Sequence, residues 1–181
     1  MLNGRTALVT GSTQGIGQAI AQALARAGAD IVMHGIEPVV QGEAIAAELA
    51  MSTHVRTAYV RADLARAEEA ESLVAAATKA LRAPDILVNN AGIQYTCPIE
   101  SFPLERWNVI IAVNLSAAFL VMKAAVPCMR EGGWGRIVNI ASVHGLVASV
   151  HKGAYLAAKH GLVGLSKGVA LETATQGITV N

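Results

Sequence analysis

Arg5-Thr6-Ala7-Leu8-Val9-Thr10-Gly11-Ser12-Thr13-Gln14-Gly15-Ile16-Gly17-Gln18-Ala19-Ile20 starts as a short apolar run, turns through three glycines and leaves as an alanine-rich stretch. The first part has the residue types of a buried strand and the last part those of a helix, so the glycines lie in a strand-to-helix turn. Glycines at 11, 15 and 17 let such a turn bend sharply and approach a pyrophosphate, whose charge meets the positive end of the following helix. A glycine triplet by itself also fits a plain tight turn; the strand before it and the helix after it carry the reading.

The same alternation runs along the whole chain. Strands are expected at Thr6–Thr10, Ile31–His34, Val55–Val60, Ile86–Asn89 and Ile137–Ile140. Between them, helices are expected at Ile16–Ala27, Val39–Ala50 and Ala67–Leu81, as a pair from Leu104 to Arg130, and at Ala154–Thr175. Pro38 suits a first helical turn and Gly28 the position just past a helical end. Strands alternating with helices, without a repeat or a linker, predict an α/β fold: one doubly wound parallel sheet of Rossmann type over residues 1–181, with its ligand beyond the carboxyl ends of the strands. Gly177-Ile178-Thr179-Val180-Asn181 reads as a turn entering a sixth strand that is then cut off.

Composition narrows the function classes. The 181 residues are 53% hydrophobic and 15% charged, as in a well-buried globular protein. Fourteen basic residues against thirteen acidic ones, with no basic cluster, give no support to a nucleic-acid or anionic-membrane partner. The longest apolar stretch, Leu115 to Met129, is broken by Lys123 and Pro127 and is short for a membrane span, so a buried helix is expected there. The opening strand runs straight into the glycine turn and leaves no room for a cleavable signal, so a cytoplasmic protein is expected. Cys97 and Cys128 read as reduced thiols. The histidines at 34, 54, 144, 151 and 160 form no metal-ligand spacing, and no metal is expected.

Several residues have types and positions suited to proton and hydride chemistry. Tyr155 and Lys159, four apart on a helix, differ by only about 40° in azimuth, so a phenol and an ammonium reach into one space. A phenol acts as a base near neutrality only beside positive charge, which Lys159 supplies. Ser142 lies thirteen residues before Tyr155. Asp63-Leu64 closes the third strand, where a carboxylate accepts from an adenine amino group or, equally, caps a helix. Asn89-Asn90-Ala91-Gly92 follows the fourth strand, where small residues permit close approach to a cofactor and the amides tie strand ends together.

Thr10-Gly11-x-x-x-Gly15-x-Gly17, Asn89-Asn90-Ala91-Gly92, Asn114, Ser142 and Tyr155-x-x-x-Lys159 together resemble the short-chain dehydrogenase/reductase family across the whole chain. The resemblance implies a catalytic tetrad of Asn114, Ser142, Tyr155 and Lys159, with Asn114 at the start of a helix anchoring a water that relays protons to Lys159. It also implies cofactor contacts from Gly11, Thr13, Gly15, Ile16, Gly17, Asp63, Leu64, Asn90, Gly92, Tyr155 and Lys159. Relatives form homo-oligomers, tetramers among them, which makes the helices Asn114–Met129 and Ala154–Leu171 candidate subunit contacts.

A narrower resemblance is to the bacterial D-3-hydroxybutyrate dehydrogenases. It rests on Gln94, His144 and Lys152, and on the run Ile140-Ala141-Ser142-Val143-His144-Gly145-Leu146-Val147-Ala148-Ser149. It implies a small carboxylate substrate bound by Gln94, Ser142, His144, Lys152 and Tyr155, with Lys152 on the helical face of Tyr155 pairing with the carboxylate. Met33-His34-Gly35-Ile36-Glu37 has no arginine for a 2′-phosphate, and Glu37 can accept from a ribose diol, so NAD is expected rather than NADP. The family pattern continues with a lid and a last strand that are absent from this sequence, so the chain taken alone is expected to be poorly active. Two alternatives stand beside the hydroxybutyrate reading: a 3-oxoacyl thioester reductase of the same family, and a catalytically silent nucleotide-binding or interaction fragment.

Overall fold

The computed structural model describes residues 1–181. Strands β1 (Thr6–Val9), β2 (Asp30–Gly35), β3 (Thr57–Arg61), β4 (Ile86–Asn89), β5 (Gly135–Asn139) and β6 (Ile178–Val180) form one sheet in the order β3-β2-β1-β4-β5-β6. Every neighbouring pair is parallel. The order reverses between β1 and β4, and a crevice opens beyond their carboxyl ends at such a switch point.

Helices α1 (Gly15–Arg26) and α2 (Val39–Thr53) cover one face; α3 (Ala67–Ala80), α5 (Ala117–Glu131) and α6 (Gly153–Thr173) cover the other. Strand residues alternate between the two sides. Ala7, Val9, Ile31 and Met33 pack with Ala21, Ala25 and Leu49, while Leu8, Val32, Leu87 and Ile137 pack with Leu73, Val121 and Met129. Because both faces are covered, all four residues of β1 are buried, which is why it reads as a continuous apolar run. Full burial of side chains such as Leu8 and Leu87 contributes on the order of 1.5–3 kcal/mol each.

Strand and helix limits shift from expectation by one to three residues, each for a local reason. The third strand begins at Thr57 because α2 runs on to Thr53 and His54 takes a left-handed φ of 59°. The fifth begins at Gly135, where a side chain would meet Met129 of α5. Gly28 lies just past α1 as expected; its N–H and that of Ala29 return to the carbonyls of Ala25 and Leu24.

The largest correction concerns the region from Leu104 to Arg130. Instead of two helices, α4 (Leu104–Ile111) continues through a single π turn (Ala112–Ser116) into α5, giving one helix over Leu104–Glu131. Pro127 lies inside it and does not end it. The helix is long and apolar enough to cross a bilayer, yet Val121, Met122, Ala125 and Met129 are buried in the core beneath it.

Candidate active site

The turn after β1 and the ends of β2, β3 and β4 enclose a cleft of about 690 Å³ lined by Gly11, Thr13, Ile16, Gly17, Asp63, Leu64, Asn90 and Gly92. Eight of the expected cofactor residues therefore share one space. Within the turn the glycines divide the work. Gly11 and Gly15 hold φ values of 61° and 57°, and a Cβ on Gly15 would meet nothing within 4 Å, so that edge is open to a ligand. At Gly17 the contact is internal: a Cβ there would sit 2.1 Å from the Gly11 oxygen and 2.5 Å from Asn90 Nδ2. Gly17 thus allows the sharp turn by letting α1 pack on its own turn, and it also lines the cleft.

The first turn of α1 has no side-chain cap and no carboxylate, and Ile16 projects with 68% of its surface bare. An uncapped helix start with an apolar side chain beside it fits a phosphate-bearing ligand with a flat ring system. Asn90 Nδ2 donates to the carbonyls of Thr10 and Gly11, and Thr10 Oγ1 accepts the N–H groups of Asn90 and Ala91, so the fourth strand's end is stapled to the first turn. Asp63 is not the cap of α3, whose N-cap residue is Arg66; its Oδ1 accepts the Ala65 N–H in a local turn, and it lines the cleft.

Glu37 lies on the cleft wall. Its carboxylate accepts from the Thr13 hydroxyl at 2.8 Å and from the Tyr59 hydroxyl at 3.4 Å. Burial pushes the Glu37 carboxyl up, but the bond from its own backbone N–H, with those from the Thr13 and Tyr59 hydroxyls, outweighs it and leaves it below the ordinary carboxylate range. Burial, with the same carboxylate beside it, pushes the Tyr59 phenol up to about 12. The Thr13 hydroxyl is thus directed to Glu37.

Beyond β5, Ser142 begins a short 3-10 turn (Val143–Gly145), where its Oγ accepts the His144 N–H at 3.2 Å and lies 3.3 Å from His144 Nδ1. The turn is pressed onto α6, since a Cβ on Gly145 would come within 3.0 Å of the Lys159 oxygen. On α6, Lys159 Nζ lies 5.6 Å from the centre of the Tyr155 ring, and the His144 ring meets that of Tyr155 edge-on at 6.0 Å. Ser142, His144, Tyr155 and Lys159 are thereby gathered in one place. Lys159 is 4% exposed, and desolvation lowers its ammonium below the ordinary lysine value.

Asn114 is not at the start of a helix as expected. It sits inside the π turn, 2% exposed, with Oδ1 accepting the Ile93 N–H at 2.8 Å and Nδ2 donating to the Ile93 carbonyl at 2.9 Å. Its amide therefore clamps the loop after β4 and does not present itself to solvent. A Cβ on Gly92 would lie 3.6 Å from Asn114 Oδ1 and 3.8 Å from Lys159 Nζ, so that glycine joins the two.

Lys152 is the residue before α6, not within it, and its side chain has no protein partner. Gln94 is exposed, with its amide 3.5 Å from the Thr96 hydroxyl. The Cys97 N–H donates to the His151 carbonyl at 2.8 Å, tying the Gln94 loop to the Lys152 loop. As expected, an amide of the Asn89-Asn90 pair ties strand ends together, Asn89 donating to Asn139, while sequence reading missed the roles of His34 and Tyr59 and the further step from Asn139 to Ser166. Their one signal was a polar residue inside an otherwise apolar strand.

Residues 5–181 match the model of the short chain dehydrogenase family. The chain is 52% identical, over its whole length, to the D-beta-hydroxybutyrate dehydrogenase of Cupriavidus necator, of which it covers 69%. It is 38% identical to a 3-oxoacyl-[acyl-carrier-protein] reductase of Synechocystis sp., with 99% of this chain and 72% of that protein covered. Among solved structures, one assigned as an NAD(P)-dependent gluconate 5-dehydrogenase of Beutenbergia cavernae, with NADP bound at low occupancy, superposes with a TM-score of 0.92. That pair is 40% identical over 99% of this chain and 71% of the other.

Proposed function

The chain belongs to the short-chain dehydrogenase family of oxidoreductases, and on that premise we propose that it interconverts D-3-hydroxybutyrate and acetoacetate with NAD. The observation that carries this reading is the gathering of Ser142, His144, Tyr155 and Lys159 around one point, which meets the cleft wall at Gly92, where a Cβ would lie 3.8 Å from Lys159 Nζ. The nicotinamide, when bound, supplies the hydride acceptor. The protein's own part is to hold and move a proton. Tyr155 takes the proton of the substrate hydroxyl, and the Lys159 ammonium beside its ring favours the phenolate. Ser142 holds the reacting oxygen, and His144, hydrogen-bonded beside it, limits where that oxygen sits.

Lys152, free of protein partners, pairs with the substrate carboxylate, with Gln94 and His144 donating beside it. Glu37 supports NAD over NADP, because a carboxylate held ionised at the cleft wall accepts from a ribose diol and repels a 2′-phosphate. Homo-oligomerisation through α5 and α6 is part of the same proposal. Phe119 and Leu171 stand exposed on those helices.

The test is turnover of D-3-hydroxybutyrate with NAD against turnover with NADP, followed by absorbance of the reduced nicotinamide. Preferred reduction of a 3-oxoacyl thioester over acetoacetate would replace this substrate assignment with the thioester one. Failure to bind any nicotinamide dinucleotide would leave the chain as a silent family member.

A further inference from the structure

His34 is 2% exposed at the end of β2, on the wall of the cofactor cleft, and every polar atom it has is engaged. Its Nδ1 accepts the Gly11 N–H at 3.0 Å, and its Nε2 lies 3.1 Å from the Ala62 carbonyl. An acceptor role at Nδ1 and a carbonyl opposite Nε2 specify the neutral imidazole with its proton on Nε2. The backbone adds two more bonds, since the His34 N–H donates to Ser12 Oγ at 3.0 Å and the His34 carbonyl accepts the Ser12 N–H at 2.9 Å. Three segments far apart in sequence, the glycine turn, the end of β2 and the end of β3, are thus joined across one ring.

We propose that His34 is a positioning residue for the cofactor: its neutral imidazole fixes the Gly11–Ser12 turn so that the start of α1 meets the dinucleotide phosphates. This rests on the reading above that the cleft takes a nicotinamide dinucleotide. The ring occupies the Gly11 N–H, so that group is a strut of the site and not a ligand donor; phosphate recognition passes to the uncapped first turn of α1. Protonation would place a second N–H against the Gly11 N–H and break the strut. The charged or titratable groups around the ring are Glu37 on the following loop, Tyr59 and Arg61 on β3, and Asp63 just beyond it; the glycine turn and the start of α1 contribute none. Burial lowers the His34 imidazole to about 4, with the Ala62 carbonyl and Glu37 opposing in part, so the neutral form holds at physiological pH.

The experiment titrates NAD calorimetrically into the wild-type chain, His34→Leu and His34→Gln, with circular dichroism to confirm folding. Glutamine restores one acceptor and one donor; leucine restores neither. His34→Leu is expected to weaken NAD binding by about tenfold, the equivalent of about 1.4 kcal/mol for the lost hydrogen bonds. His34→Gln should stay within about threefold of wild type, by the same conversion less than 1 kcal/mol. The loss should appear in the KM for NAD more than in kcat. Wild-type affinity should fall as pH drops from 6 towards 4, and that of His34→Gln should fall less.

A folded His34→Leu chain with wild-type affinity, or a His34→Gln chain no better than His34→Leu, would overturn the proposal. If His34→Leu does not fold, the pH comparison of wild type with His34→Gln decides, and identical profiles overturn it. A wild-type chain that binds neither NAD nor NADP defeats the functional reading itself; wild-type binding with indifferent variants defeats only the role of His34.

Discussion

Lys159 Nζ donates to the Ile140 carbonyl at 2.6 Å, which anchors the ammonium of α6 to the residue just past β5. A buried ammonium is costly without a partner, and this carbonyl offsets part of that cost while fixing where the charge lies. Tyr155, one helical turn earlier, therefore has a cation at a set position. The Ile140 N–H in turn donates to Asn89, whose side chain bonds Asn139 across the strand ends, so the anchor is itself held by the sheet.

Replacing Tyr155 by phenylalanine should lower turnover of hydroxybutyrate by about 10²- to 10⁴-fold, the range for losing a positioned proton-transfer group. NAD affinity should change by less than about threefold, equivalent to under 1 kcal/mol. Steady-state kinetics beside a binding titration checks both, and substantial turnover in the variant would remove Tyr155 as the proton carrier.

Lys152→Ala should cost about 2–3 kcal/mol in kcat/KM for hydroxybutyrate, the worth of a hydrogen bond to a charged group. An uncharged ester of the same acid should lose far less. Equal losses for acid and ester would show that Lys152 does not bind the carboxylate.

Glu37→Gln keeps the size of the side chain and removes its charge. The ratio of kcat/KM for NADP to that for NAD should rise by at least about tenfold, corresponding to about 1.4 kcal/mol. An unchanged ratio would place cofactor choice elsewhere in the cleft.

The folded chain should lose stability on mild acidification because of His34. Its imidazole titrates at about 4 when folded against 6.5 for the free group, so the unfolded chain binds the proton first. Stability is complete above 6.5 and falls as pH drops towards 4, by on the order of 3 kcal/mol in total. Glu37, also lowered when folded, works in the same sense at more acidic pH: the stability it contributes is present above the ordinary carboxylate value and is lost as pH falls through its lowered folded value. Urea unfolding at several pH values, with His34→Gln as reference, should show a shallower slope in the variant between 6.5 and 4.

The features legible in the sequence are those whose partners lie close along the chain. Tyr155 and Lys159 are one helical turn apart, Ser142 and His144 share a short turn, and the glycine turn announces itself between a strand and a helix. His34 was opaque because its partners are Gly11, Ser12 and Ala62, met only when three strands assemble in parallel. Asn114 was misplaced for the same reason: its amide bonds Ile93, 21 residues away, and no helical period in the sequence signals an added residue in the turn around it. The limits of β3 and β5 depended on where α2 and α5 end, which strand propensity does not encode.

The π turn at Ala112–Ser116 makes the helix Leu104–Glu131 a joint of two registers. An α-helix advances about 100° per residue, so one surplus residue turns everything beyond it by that angle relative to an uninterrupted helix. Ile110 on the near side packs with Ala154 and Ala158 of α6, while Val121, Met122 and Ala125 on the far side pack into the sheet. Both contacts are satisfied by a single rod because it is out of phase with itself. Shortening the rod by one residue between 112 and 116 would remove the offset and swing Val121 off the sheet or Ile110 off α6, and no side-chain exchange could compensate for that rotation.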